Sequence, residues 1–186
     1  MTPAPALRFA AARVYRPATD PASTVADCAT RAIARALKAP RSVLFRYALR
    51  RAVREMAAHV PAGAQLVPVP RASGCSGPAV LLASALASAV PCTTVVLAVQ
   101  RRQPVESSQM RRRRGLTGLA ASEHAASFAR MAALDPTRSV VFVDNVVVTG
   151  ATAQGVAWVL GRPDALVLAF AAGVDIASVV GAARAA

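Results

Sequence analysis

The sequence has few aromatic residues and almost no cysteine or histidine. Aromatic side chains make up 4% of the 186 residues, which argues against a platform on which single-stranded bases stack. The three cysteines form no C-x-x-C pair, and the chain has two histidines, so neither a zinc knuckle nor a disulfide framework is expected. Arg8 and Arg13 interrupt the first apolar stretch, which argues against a signal peptide. This cysteine usage fits a reducing compartment, and we expect a cytoplasmic protein.

Acidic residues are also scarce. Nine of them against 22 basic residues give a formal charge of +13. Nearly every basic residue is arginine, whose guanidinium stays charged and can hold phosphate through two parallel hydrogen bonds. We therefore expect a polyanionic ligand or partner. The length and the 55% hydrophobic content favour one domain with a hydrophobic core.

Residues 77–100 carry no charge and are long enough to span a bilayer. Pro91 divides this segment into a part rich in Ala, Leu and Ser and a β-branched part. The first part is typical of a helix and the second of a strand. We favour a buried helix followed by a strand over membrane insertion.

The first third of the chain is helical in character and strongly basic. Residues 26–59 are divided by Pro40, and the basic residues of each half recur at spacings of three and four, which places them on one helical face. They are Arg31, Arg35, Lys38, Arg46, Arg50 and Arg54. We assign residues 1–62 to a basic helical segment packed on the core. A solvated face is favoured, and a nucleic-acid surface is the alternative.

The pattern changes after residue 62. Short Val-rich runs alternate with helix-like stretches, which is typical of a parallel sheet covered on both faces. The runs are 65–69, 93–99, 139–143 and 165–170, and the helix-like stretches are 78–89 and 151–160. We predict an α/β domain over residues 63–186. Residues 100–127 fit neither period and predict a long exposed excursion, whose arginines at 111–114 are either a solvated block or a lid over an anion.

Residues 140–152, V-V-F-V-D-N-V-V-V-T-G-A-T, are the most informative stretch. A buried strand ends at Asp144, which brings its carboxylate to the edge of the sheet where α/β folds bind ligands. Thr149, Gly150, Ala151 and Thr152 then lead into a helix, and their small side chains, hydroxyls and N–H groups suit a phosphate monoester. A carboxylate beside a phosphate cradle indicates a sugar phosphate. The alternative is ordinary turn and cap chemistry.

This stretch resembles the signature of the type I phosphoribosyltransferases, which is a hydrophobic strand, two acidic residues and a T-T-G-A-T-like loop. The resemblance is closest to the ComF-like branch. Residues 66–71, L-V-P-V-P-R, are similar to the V-P-V-P strand and pyrophosphate loop of that branch. Ser108 and Gln109, followed by arginines and Phe128, resemble its flexible hood. The similarity covers roughly residues 64–172.

The resemblance implies a doubly wound parallel sheet with a flexible hood and a site for phosphoribosyl pyrophosphate. It implies that Asp144 contacts the ribose hydroxyls and that the 5′-phosphate lies in the cradle formed by Val148, Thr149, Gly150, Ala151 and Thr152. It also implies that the backbone at Pro70 and Arg71, with Arg101 or Arg102, holds the pyrophosphate together with Mg²⁺. Asp144 would reach the metal through water, and no side chain is assigned as a direct ligand.

The implied reaction is displacement of pyrophosphate at ribose C1, with Asp144, Asn145 and Arg101 as the catalytic residues and an unknown acceptor. The sequence departs from the family at Asn145, which replaces the second acidic residue, and at Val148, where purine-salvage members carry an aspartate. The second departure argues against purine salvage. The cysteine-rich zinc element found at the start of many ComF-like proteins is replaced by the basic segment. The alternative function is a catalytically silent nucleotide-sensing or nucleic-acid-binding module.

Overall fold

A computed structural model describes residues 7–74, 77–107, 110–111, 114–174 and 176. Its central element is a five-stranded sheet in which every neighbouring pair is parallel, with the strand order β1-β7-β6-β2-β3. A second, two-stranded sheet pairs β4 with β5 in antiparallel fashion. The strands are β1 (Arg8–Tyr15), β2 (Gln65–Pro68), β3 (Thr94–Val95), β4 (Val99–Arg101), β5 (Phe128–Arg130), β6 (Val140–Val147) and β7 (Leu166–Gly173).

Helices cover both faces of the main sheet, as predicted for an α/β fold. They are α1 (Val25–Leu37), α2 (Phe45–Met56), α3 (Gly77–Ala89), α4 (Ala121–Ala126) and α5 (Ala151–Leu160), with a 3₁₀ turn at Ala57–His59. One core joins the first three helices to the sheet face that carries Leu66 and Phe170. The other joins α5 to the face that carries Val67 and Phe142. Leu66 and Val67 are adjacent in β2 but pack into different cores, on opposite faces of the sheet. Because both faces are covered, successive strand residues are all apolar, and the strand sequences are continuous apolar runs.

The first two helices begin and end near the predicted positions. Thr24 and Asp27 form a capping box at the start of α1, in which the Thr24 N–H donates to the Asp27 carboxylate at 2.8 Å. These hydrogen bonds hold the pKa of Asp27 below its ordinary value. Helix α1 ends at Leu37 with Lys38 as its C-cap, just before Pro40. The predicted division of the basic segment is confirmed.

The strand β1 was missing from the predicted pattern. It forms the edge of the main sheet and pairs with β7 from Arg8 to Tyr15. Arg13 interrupts its apolar pattern but is paired with Glu55 of α2 through two hydrogen bonds of 2.8 Å, and its guanidinium lies over the Phe170 ring. The basic segment therefore contributes a strand as well as helices to the fold.

The predicted strand at residues 93–99 is divided between the two sheets. β3 pairs with β2, and the chain then crosses to β4, where the Met131 N–H donates to the Ala98 carbonyl at 2.8 Å. The predicted excursion thus leaves the core at β4 and returns through α4 and β5. Residues 108, 109, 112 and 113, which include most of the proposed hood signature, lie outside the described residues. Among the described helices, none is long and apolar enough to cross a membrane.

Candidate functional site

The main sheet has a topological switch point between β2 and β6. From β2 the chain passes through α3 to β3 on one side, and from β6 it passes through α5 to β7 on the other. A crevice forms at the carboxyl ends of strands where the winding direction changes in this way. A cavity of about 580 Å³ opens here. Six predicted site residues line it: Pro70, Arg71, Arg101, Asp144, Asn145 and Thr152.

Five predicted site residues lie outside the lining of this cavity: Arg102, Val148, Thr149, Gly150 and Ala151. The Thr149 side chain accepts a hydrogen bond from the Ala151 N–H at 3.4 Å, so it acts as part of the turn. Gly150 has a φ of 76° at the N-cap of α5. A Cβ there would lie 2.8 Å from the Phe9 ring. The left-handed backbone, with the Phe9 ring close by, therefore favours glycine here independently of any phosphate.

Asp144 is half-buried and lines the cavity from the middle of β6. The predicted end of the strand at Asp144 is wrong, because β6 continues to Val147 beside β7; only its pairing with β2 ends at Val143. Its Oδ1 accepts a hydrogen bond from the Asn145 N–H at 2.7 Å. Burial raises the pKa of Asp144 to about 6, although this hydrogen bond and the positive charges of Lys38 and Arg71 oppose the shift. The carboxyl group therefore changes its charge close to neutral pH.

Arg101 is a buried cation, with 4% of its surface exposed. Its Nε donates to the Arg71 carbonyl at 3.0 Å, its Nη1 donates to the Ser127 hydroxyl, and its guanidinium lies 4.3 Å from the centre of the Phe128 ring. In the described part of the chain, no carboxylate lies within ion-pair distance of it. Burial lowers the pKa of Arg101 to about 10, so the group is still charged at neutral pH. A buried charge of this kind favours an anion as its missing partner.

His124 joins Arg101 to the start of α5. It lies on α4 rather than in a loop, with 4% of its surface exposed. Its Nδ1 is 3.2 Å from Arg101 Nη2, and its Nε2 is 3.3 Å from Thr152 Oγ1. Burial and the Arg101 charge lower the pKa of His124 to about 4, which keeps the ring neutral near pH 7. The sequence placed His124 within the exposed excursion of residues 100–127, and it was not among the predicted site residues.

Lys38 is a second residue that lines the cavity but was not among the predicted site residues. It is the only lysine among the 22 basic residues. It was predicted on the basic face of the helices, but as the C-cap of α1 it lines the cavity, close enough for its charge to lower the pKa of Asp144. Three cations, Lys38, Arg71 and Arg101, therefore line the cavity, and the charges of Lys38 and Arg71 act on Asp144. The cavity also contains a second carboxylate, Glu106, which is paired with Arg114.

Asn145 supplies an oxygen atom that has no hydrogen-bond partner. The residue is 4% exposed, and among the described residues its Oδ1 is the one buried side-chain polar atom without a partner. The described residues contain no group of three or more His, Cys, Asp or Glu side chains that could hold a metal ion by themselves. Mg²⁺ needs fewer protein ligands when phosphates supply the others. The oxygens of Asp144 and Asn145 fit that type of site.

A scan against models of known protein families gives no match, and neither does a search of curated proteins. The fold and the cavity define the class of protein: an α/β protein with a parallel sheet and a cationic crevice at its switch point.

Proposed function

We propose that the protein binds phosphoribosyl pyrophosphate in the cavity and transfers the phosphoribosyl group to an acceptor, with release of pyrophosphate. The observation that carries the proposal is the buried guanidinium of Arg101, which has no carboxylate partner within the described chain and lines the same cavity as Asp144 and Thr152. A diphosphate would supply the missing anion. The cavity volume of about 580 Å³ suits a ligand of this size.

Each group of the ligand has a chemically matched group in the cavity. The Asp144 carboxylate can accept hydrogen bonds from two ribose hydroxyls, and Thr152, the one residue of the predicted cradle that lines the cavity, suits the 5′-phosphate. Arg71 and Arg101 suit the pyrophosphate. In the reaction, the bond from C1 to the pyrophosphate oxygen breaks, and a bond from C1 to the acceptor forms. The two guanidinium groups stabilise the negative charge that develops on the leaving group.

Mg²⁺ fits the proposal through the unpartnered Oδ1 of Asn145 and the neighbouring Asp144 carboxylate. When bound, it would neutralise part of the pyrophosphate charge. Asn145 offers a neutral amide oxygen where the type I phosphoribosyltransferases, which this sequence resembles, have a second carboxylate. The protein therefore places less negative charge beside the ribose than that family pattern does.

Substituting Asn145 tests whether the cavity catalyses transfer. We expect the parent to release pyrophosphate from phosphoribosyl pyrophosphate with Mg²⁺, and Asn145→Asp to match or exceed that rate. A carboxylate near a developing ribosyl cation in a closed site contributes on the order of 2–4 kcal/mol, or tens- to hundreds-fold in rate. The measurement is pyrophosphate release by the parent and the variant with water and with a panel of nitrogen acceptors.

Asp144→Asn is the matched inactive variant for that assay, because it should abolish ribose binding. A parent rate no higher than that of Asp144→Asn would contradict the transferase function. A second candidate function, binding without turnover, is favoured by the neutral Asn145 side chain. It predicts that the parent binds the ligand but releases no pyrophosphate, and that Asn145→Asp gains measurable release.

The exposed arginines of α2 support a separate proposal, an interaction with nucleic acid. Arg46, Arg50 and Arg54 are exposed, and they form no ion pair among the described residues. We expect duplex DNA to bind at low salt without sequence preference, with a slope near −0.9 per neutralised phosphate in a plot of log affinity against log salt. Replacing all three with alanine should flatten that slope by about 2–3. Arg130→Ala, an exposed arginine on β5, is the control, and absence of a complex at low salt would reject the interaction.

A further inference from the structure

Arg101, His124 and Thr152 form a chain of hydrogen bonds whose direction is fixed by chemistry. A guanidinium only donates, so His124 Nδ1 accepts the bond of 3.2 Å from Arg101 Nη2. Because the ring is neutral, its proton is then on Nε2, which donates to Thr152 Oγ1 over 3.3 Å. The Thr152 hydroxyl thus accepts from His124, and its own O–H can donate to another acceptor. Thr152 lines the cavity, so a ligand oxygen is a suitable acceptor.

The surrounding packing holds His124 in this arrangement. Its ring lies nearly parallel to that of Phe128, with an angle of 17° and 6.4 Å between the ring centres. Helix α4 approaches α5 so closely that a Cβ at Gly155 would lie 2.7 Å from the Cβ of His124. The imidazole therefore has little freedom to leave this chain of hydrogen bonds.

We propose that His124 is a positioning residue that couples the two anion-binding ends of the cavity, a diphosphate at Arg101 and a phosphate monoester at Thr152. This inference rests on the proposed function, because both groups must bind in the cavity. An anion at Arg101 fixes the guanidinium, which fixes the imidazole and orients the Thr152 hydroxyl. The second ligand then meets a chain that is already ordered, and its binding is strengthened.

The test compares the binding of ribose 5-phosphate with and without pyrophosphate, both in the presence of Mg²⁺. Repulsion between the two anions is common to all variants, so the contribution of the histidine is obtained as a difference between them. We expect the ratio of the two dissociation constants, without and with pyrophosphate, to fall about 3- to 10-fold from the parent to His124→Phe. Phenylalanine keeps a planar aromatic ring, somewhat larger than imidazole, that carries no hydrogen-bond donor or acceptor.

Two further variants make the result specific. His124→Gln can accept and donate, so it should recover part of the coupling. Ser122→Ala changes an exposed residue on the same helix and should keep the parent ratio. If His124→Phe folds and keeps the parent ratio, the coupling is refuted while the proposed function stands. If the parent binds neither ligand, the proposed function fails and the coupling with it.

A second measurement needs no substitution and covers the case in which His124→Phe does not fold. The ¹⁵N shifts of the imidazole in the labelled parent report which ring nitrogen carries the proton. We expect a neutral ring protonated at Nε2 at pH 7. A ring protonated at Nδ1, or a charged one, cannot accept from Arg101 and would overturn the inference.

Discussion

Replacing Arg101 with methionine should abolish pyrophosphate binding while the protein stays folded. The variant keeps an apolar side chain against Phe128 but removes the buried positive charge. Two lost charge-assisted hydrogen bonds, at about 1.5–3 kcal/mol each, would lower the affinity by about 10²- to 10⁴-fold. Calorimetric titration with pyrophosphate and Mg²⁺ measures this loss.

The stability of Arg101→Met separates a binding role from a structural one. The variant leaves the Arg71 carbonyl, the Ser127 hydroxyl and His124 Nδ1 without the hydrogen bonds that Arg101 donates, but it also removes an uncompensated buried charge. These effects have opposite signs, so we expect the melting temperature to change by only a few degrees. Unfolding of the variant would instead indicate that the guanidinium is a structural element of the second sheet.

Arg102→Met is the control for this experiment. The two arginines are adjacent and were equal candidates from the sequence, but Arg102 is exposed and does not line the cavity. Its substitution should leave pyrophosphate binding within about twofold of the parent. If Arg102→Met loses binding and Arg101→Met keeps it, the anion site lies on the outer surface of the excursion and not in the cavity.

The layers of the fold were predictable because they depend on local patterns. Short Val-rich runs and helix-like stretches alternate at the spacing of a parallel sheet, and β2, β6 and β7 lie where those runs predict them. β1 was not predictable in this way. Arg13 breaks its apolar pattern and finds its partner in Glu55, 42 residues away, which no local window contains.

The residues of the candidate site likewise include some that local sequence predicts and others that only tertiary contacts bring together. The sequence predicted Asp144 as a ligand residue because it follows a buried Val-rich run. Although β6 continues to Val147, Asp144 lies directly after the last residue paired with β2, which brings it to the crevice where α/β folds bind ligands. His124 and Lys38 reach the cavity only through tertiary contacts. His124 is 23 residues from Arg101 and 28 from Thr152. Composition alone distinguishes both residues, because His124 is one of two histidines in the sequence and Lys38 is its single lysine.

Replacing Asp144 with asparagine should stabilise the fold above about pH 6 and abolish the binding of ribose 5-phosphate. The pKa of Asp144 is raised from 3.8 to about 6 in the folded protein. Between these values the folded state keeps a proton that the unfolded chain releases, so stability falls as the pH rises from about 4 to 6. A difference of about 2 in pKa corresponds to about 3 kcal/mol, and partial exposure reduces this to about 1–2 kcal/mol. Asparagine avoids that cost and can still accept from the Asn145 N–H.

Thermal unfolding of the parent and Asp144→Asn at pH 4 and pH 8 measures the effect, with ribose 5-phosphate titrations on the same samples. The variant should melt several degrees above the parent at pH 8 and near it at pH 4. Asp164→Asn is a control of opposite sign, because its pairing with Arg162 lowers the pKa of Asp164 and its loss should slightly destabilise the protein at pH 8. An Asp144→Asn variant that is less stable than the parent at pH 8 would assign the carboxylate to the fold. If the variant is more stable yet binds no ligand, the carboxylate is there for binding, because it weakens the fold at the pH where it is charged.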